Sequence, residues 1–170
     1  MTDTSLPRVH IIGTGGSIAG VGHDYLDMTE YGETGKKLNI DQLLYQVPGI
    51  NNMAEISLED FSNVTSNSLT TKDWIILANH INDLFEYYPQ LSGIAITHGS
   101  MTIEETAYFL NLTIKSSRPV VLTGSLRPST SISSDAQINI LDCILVASAE
   151  ESQDKGVLVV LNGEINCFFN

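Results

Sequence analysis

Three hydroxyl-rich turns hold the residues of this chain best suited to chemistry. "THGSMTIEET", Thr97–Thr106, follows the short apolar run "GIAI", Gly93–Ile96, and leads into the helical run "EETAYFL", Glu104–Leu110. "GTGGSIAG", Gly13–Gly20, follows the apolar run "RVHII", and "TGSLRPSTS", Thr123–Ser131, follows "PVVL". Ser17 is a hydroxyl on a glycine turn. Glycines let the backbone turn sharply and approach a ligand closely, and neighbouring N–H groups on such a turn can hold an oxyanion. Two readings are open for Ser17: a nucleophile, or a serine that caps its turn. As a nucleophile it needs activation, because a serine hydroxyl is weak near neutral pH. His98 adjoins the second turn, where it is either a base or a histidine bonded to backbone. His10 sits in a strand pattern and His80 in a helix pattern, and both read as structural. Met101 stands among the hydroxyls with no proton to give and no charge to hold.

Other motif readings fail on spacing. A dinucleotide turn needs Gly or Ala three places after Gly15, where Ile18 stands. A phosphate loop needs a closing Gly-Lys-Ser/Thr, and a nucleophile elbow needs Gly-x-Ser-x-Gly. Neither occurs. Cys143 and Cys167 form no metal or redox spacing, and no ligand cluster calls for a metal or organic cofactor.

The elements that position these turns follow from periodicity. Strands are expected at Arg8–Ile12, Met53–Phe61, Gly93–Thr97, Pro119–Gly124 and Gly156–Gly163. Helices are expected at Ile40–Val47, Lys72–Tyr88, Thr102–Lys115 and from about Ser134 to Glu150. In the second helix Trp74, Leu77, Ala78, Ile81, Leu84 and Phe85 share a face, and Pro89 ends it. Thr102 with Glu105, and Ser134 with Gln137, have the spacing of helix caps. Cys143 falls in an apolar helix pattern and reads as a buried thiol. Buried strands alternating with amphipathic helices imply an α/β fold. Its sheet is mostly parallel, in three layers with helices on both faces. Ligands bind such folds beyond the carboxyl ends of the strands, where all three hydroxyl turns fall.

Composition narrows the functions. The chain has 170 residues, in the range of one domain, and is 42% hydrophobic, enough for a sizeable core. Its 20 acidic and 8 basic residues give a net charge of −12. That sign repels phosphate backbones and anionic membranes, so nucleic-acid and membrane partners are not expected. The amino terminus lacks a basic segment followed by a long apolar one, and no run is long enough to cross a bilayer. The expected setting is the reducing cytoplasm.

"IIGTGGSIAG", "GIAITHGSMTIEETAYFL" and "RPVVLTGSLRPSTSISSD" together resemble the L-asparaginase family of bacterial and fungal type, in order and over almost the whole chain. Those enzymes carry T-G-G-T-I-A and T-H-G-T-D-T-x-E-E-T-A. The resemblance implies an amidohydrolase that converts L-asparagine and water to L-aspartate and ammonia, without a metal or organic cofactor. The family's nucleophilic threonine corresponds to Ser17. Tyr31 matches the tyrosine of the covering loop. Ser66 and Asn67 match the serine and glutamine that bind the α-carboxylate and α-amino ends of the substrate. Ser100 corresponds to the threonine of a threonine-lysine-aspartate relay. Met101 stands where the family has the aspartate that pairs with the substrate ammonium. Losing such a charge-assisted contact costs about 2–5 kcal/mol.

The family is a homotetramer of two-domain subunits. The resemblance covers only the larger amino-terminal domain, so residues 1–170 are expected to form that domain, cut short near its end. The relay lysine would then fall just beyond Asn170, and the family's carboxyl-terminal domain would be absent. An uncovered sheet edge and the apolar residues Cys167, Phe168 and Phe169 imply a homo-oligomer. The alternative is a catalytically impaired relative with a binding role.

Overall fold

The computed structural model describes residues 5–167. Strands β1 (Arg8–Gly15), β2 (Glu55–Val64), β3 (Gly93–Thr97), β4 (Val120–Thr123), β5 (Val157–Leu161) and β6 (Glu164–Cys167) form one six-stranded sheet in the order β2-β1-β3-β4-β5-β6. The first five strands pair in parallel, and β6 turns back antiparallel to β5. Helices α1 (Ile40–Tyr45), α2 (Thr71–Tyr87), α3 (Ile103–Thr113) and α4 (Ala136–Ser148) cover both faces. The result is the three-layer α/β architecture that the apolar runs imply.

Strand alternation divides the core in two. Val9, Ile11, Ala95, Val121 and Leu158 face α1 and α4, packing with Leu43, Ile140 and Ile144. Ile12, Ile94, Ile96, Leu122 and Val159 face α2 and α3, packing with Leu77, Ile81 and Leu110. Cys143 lies in the first of these cores. Burial pushes its thiol up to about 12. β2 is an edge strand and is buried only in part, which explains its mixed pattern in the sequence.

Local chemistry starts the helices. Asn39 and Gln42 cap α1 reciprocally, at 2.8 and 3.0 Å. Thr70 and Asp73 do the same for α2. The two caps expected from spacing do not form. A 3-10 turn, Ser100–Thr102, winds directly into α3, and the Thr102 hydroxyl is buried without a hydrogen-bond partner. At α4 the residue before the helix is Asp135, Ser134 Oγ accepts from Ala136 N at 3.1 Å, and Gln137 donates instead to Gln46 and Ser129.

β6 is absent from the sequence reading. Its hairpin turns on Asn162 and Gly163, with φ of 55° and 73°, the left-handed pair that a tight hairpin requires. Its side chains are exposed, Cys167 among them. Phe168 and Phe169 lie outside the described residues.

Candidate active site

Strand order reverses at β1, which has β2 on one side and β3 on the other. In open α/β sheets this switch creates a crevice beyond the carboxyl ends of the strands. The turns after β1 and β3 meet there. Gly15 and Gly16 leave β1 with φ of 92° and 84°, a conformation that side chains rarely adopt. A Cβ on Gly16 would lie 2.2 Å from the Gly99 Cα. Only two glycines permit that approach.

It brings Ser17 and Ser100 to one cavity of about 280 Å³, which Tyr31, Ser66 and Met101 also line. Asn67 follows Ser66 on the same 3-10 turn but is exposed and is not among the lining residues. Lys36, Lys37 and Thr65 complete much of the wall. The sequence analysis did not single them out, although Lys36 and Lys37 are two of only 8 basic residues.

Ser17 Oγ donates to the Ser125 carbonyl oxygen at 2.7 Å. That bond orients the hydroxyl, but a carbonyl oxygen is too weak a base to take its proton. The N–H groups of Gly16, Ala19 and Gly20 donate to backbone carbonyls, so these three are not oxyanion donors. Ser125 is itself held by the turn after β4. Its hydroxyl donates to the Arg127 carbonyl oxygen at 2.6 Å, and the Asp135 carboxylate accepts from Leu126 N and Arg127 N at 3.0 and 3.1 Å. The third hydroxyl turn thus serves the site through its backbone.

The loop between Gly20 and Lys37 folds over the first turn. Val21 N donates to the Lys36 carbonyl, and Leu38 N to that of Ala19. The Tyr31 ring packs so closely over Gly20 that a Cβ there would meet it at 2.6 Å. Thr34 Oγ1 donates to the carbonyls of Val21 and Tyr31. Gly22 N donates to Thr130 Oγ1 at 3.0 Å, tying the loop to the third hydroxyl turn.

His98 is fully buried. Its Nδ1–H donates to the Gly99 carbonyl at 2.8 Å, and Nε2 accepts from Thr106 Oγ1 at 3.0 Å. With both nitrogens committed it positions the Gly99 turn and is not a base. Burial pulls its pKa below the ordinary histidine value, against opposing effects of the Gly99 bond and the Glu105 charge. Lys37 Nζ donates to the Asn63 carbonyl, and partial burial lowers its pKa as well.

A larger cavity of about 640 Å³ opens between β1, β2 and α2, away from the hydroxyl turns. His10 and His80 both present Nε2 to Glu59 there, His10 at 3.2 Å. The His80 contact ties α2 to the sheet edge and the His10 contact ties β1 to β2, a structural role for both histidines. Among the described residues no three His, Cys, Asp or Glu side chains are grouped to hold a metal ion, and no helix is long and apolar enough to cross a membrane.

Known proteins resemble this chain in sequence and in fold. The family model described as "Asparaginase, N-terminal" matches residues 8–168. The glutaminase-asparaginase of Acinetobacter glutaminasificans is 41% identical over 158 residues, which cover 93% of this chain and 47% of that protein. L-asparaginase 2 of Bacillus subtilis is 44% identical over 160 residues, 94% of this chain and 42% of the relative. The crystal structure of the probable cytoplasmic L-asparaginase of Campylobacter jejuni superposes with a TM-score of 0.88 at 42% identity, covering 95% of this chain and 48% of that one. The chain therefore spans about half the length of the curated relatives it matches. Sheet order, the crevice at β1 and β3, and a match across nearly all described residues agree: the chain belongs to the asparaginase family and corresponds to its amino-terminal domain.

Proposed function

We propose that the protein is an asparaginase-type amidohydrolase, acting on L-asparagine with Ser17 as nucleophile. The observation that carries this reading is the cavity shared by Ser17, Ser66 and Ser100, at the strand-order switch of an asparaginase-family domain. Ser17 Oγ attacks the side-chain amide carbon, and the C–N bond breaks. The hydroxyl proton ends on the departing ammonia. Water then cleaves the Ser17 ester, releases L-aspartate and restores the hydroxyl. Ser125 orients the nucleophile, Tyr31 covers it, and Ser66 holds the substrate's α-carboxylate end. Ser100 stands in the relay position. The setting is cytoplasmic and the assembly a homo-oligomer, readings that rest on the family and on the exposed β6 edge.

Ammonia release from L-asparagine by the natural polypeptide, compared with Ser17→Ala, tests the proposal. Loss of at least about 10³-fold in kcat supports it. Equal release by the two proteins rejects it.

Met101 favours a second reading, an impaired relative that binds without efficient turnover. Its side chain is 70% exposed and lines the cavity at the position of the family's aspartate. That reading predicts no gain from Met101→Asp. A gain of tenfold or more in asparagine hydrolysis excludes it.

A further inference from the structure

Asn139 lies on the buried face of α4 and is closed off from solvent. Asparagine is a weak helix former, and burying its amide is unfavourable unless its polar atoms find partners. Here they do. Nδ2 donates to the Gly124 carbonyl and to the Asp135 carboxylate, both at 3.0 Å, and Oδ1 accepts from Asn162 N at 3.1 Å. Two donors and an acceptor on one short side chain are what an asparagine supplies.

The first of these bonds falls where the three hydroxyl turns meet. Gly124 follows β4, and a Cβ on it would lie 2.9 Å from the His98 carbonyl oxygen and 3.5 Å from Ser100 N. The next carbonyl in the chain, that of Ser125, accepts from the Ser17 hydroxyl at 2.7 Å. The Gly124–Ser125 segment therefore touches the turn of Ser17 and the turn of Ser100 at once. The start of α4 grips it on both sides of Ser125. Asn139 holds the Gly124 carbonyl, and Asp135 accepts from Leu126 N and Arg127 N.

We propose that Asn139 is a positioning residue for Ser17: through the Gly124 carbonyl it fixes the Ser125 carbonyl that aims the nucleophile. The inference rests on the amidohydrolase reading above and deepens it with a residue that does not line the cavity. The Ser17 hydroxyl follows the oxygen it donates to, so a shift of the Ser125 peptide carries the nucleophile with it. A displacement of about 1 Å at a reacting atom can lower turnover about 100-fold. The amide is also bonded to the Asp135 carboxylate, and such a network holds its members more firmly than separate bonds do.

The test compares the natural polypeptide with Asn139→Ala and with Ile144→Ala, a truncation in the buried core of the same helix. kcat and KM are measured for L-asparagine, and backbone amide exchange is followed in all three proteins. Asn139→Ala is expected to lower kcat about 10- to 100-fold and to leave KM within about threefold, because Ser66 and its wall of the cavity are untouched. Ile144→Ala is expected to lower Tm and to keep kcat within about threefold of wild type. Relative to α2, amide exchange at Ala19, Gly20, Leu126 and Arg127 should quicken more in Asn139→Ala than in Ile144→Ala. Unchanged kcat in Asn139→Ala, or a risen KM with kcat unchanged, overturns the proposal. Equal loss of kcat in the two variants also overturns it, because fastening α4 to the sheet would then be the whole role. Should Asn139→Ala not fold, Asn139→Ser keeps a polar group in the same space and is read by the same outcomes. Absence of ammonia from the wild type defeats the hydrolase reading, and amide exchange then decides the positioning alone. Faster exchange in both turns supports it, and exchange altered only within α4 overturns it.

Discussion

A methyl group on Gly16 would sit 2.2 Å from the Cα of Gly99. The backbones of the two turns are therefore in contact, and that contact makes one cavity out of hydroxyls far apart in the chain. Gly99 also closes against Ser66, whose Oγ a Cβ at Gly99 would meet at 2.7 Å. The site depends on missing side chains as much as on those present.

Gly99→Ala tests this dependence cleanly, because Gly99 has an ordinary φ of −78° and alanine brings no backbone strain. The added methyl must push Ser66 or Gly16 aside. Overpacking of this kind costs about 1–3 kcal/mol. The variant is expected to fold with a lowered Tm and to lose binding or turnover more than tenfold. Unchanged Tm and turnover would show that the turns are not in contact.

Asp135 holds the third turn, and Asp135→Asn should loosen it. The carboxylate accepts from Leu126 N and Arg127 N and from Asn139 Nδ2. Asparagine offers one acceptor oxygen and sets an NH2 against a donor. Hydrogen bonds to charged groups contribute about 1.5–3 kcal/mol each, so chemical denaturation should show a loss of that order. The Ser17–Ser125 bond would weaken with it, lowering kcat. A variant of wild-type stability would contradict this role.

His98 makes stability depend on pH. In the unfolded chain an imidazole titrates near about 6.5, and burial lowers that value in the fold. Between the two values the unfolded state binds more protons. The contribution is therefore complete above about pH 6.5 and is lost as pH falls below it, at up to about 1.4 kcal/mol per unit. Asp27, Glu59 and Asp73 are also lowered, but from the carboxylate range, so their losses begin at lower pH. Denaturation between pH 5 and 7 should show the decline, and His98→Gln should flatten it. A decline unchanged in the variant would assign it elsewhere.

The two cysteines should differ in reactivity. Cys143 is buried, donates to the Val121 carbonyl and has its thiol pushed up to about 12, whereas Cys167 is exposed on β6. The thiolate is the reactive form. Peptide mapping after alkylation of the native protein should find Cys167 modified and Cys143 spared until the protein unfolds. Equal labelling of both would contradict the packing of α4 on the sheet.

Much of the fold was legible because its central strands are continuous apolar runs, such as "GIAI" and "VLVV", which only a sheet covered on both faces can bury. The hairpin to β6 was missed although Asn162-Gly163 is a strong turn signal. The cap at Thr102 was misread because spacing reports which residues can bond, and the preceding 3-10 turn buried its hydroxyl instead. At the site, motifs located Ser17, Ser100 and Tyr31 in turns and a loop. They could not reveal that Ser17 is held by a carbonyl at Ser125, because backbone oxygens leave no mark in a sequence. Lys36 and Lys37 escaped because they reach the cavity wall only once the loop folds over the glycine turn, a meeting that spacing in the chain does not reveal.

The central claim is that Ser17 forms the covalent intermediate. Rapid acid quench during turnover of L-asparagine, followed by peptide mass spectrometry, tests it most directly. An aspartyl ester is expected on the peptide containing Ser17, and none in Ser17→Ala. Steady ammonia production with that peptide unmodified, and with Ser17→Ala as active as wild type, would contradict it.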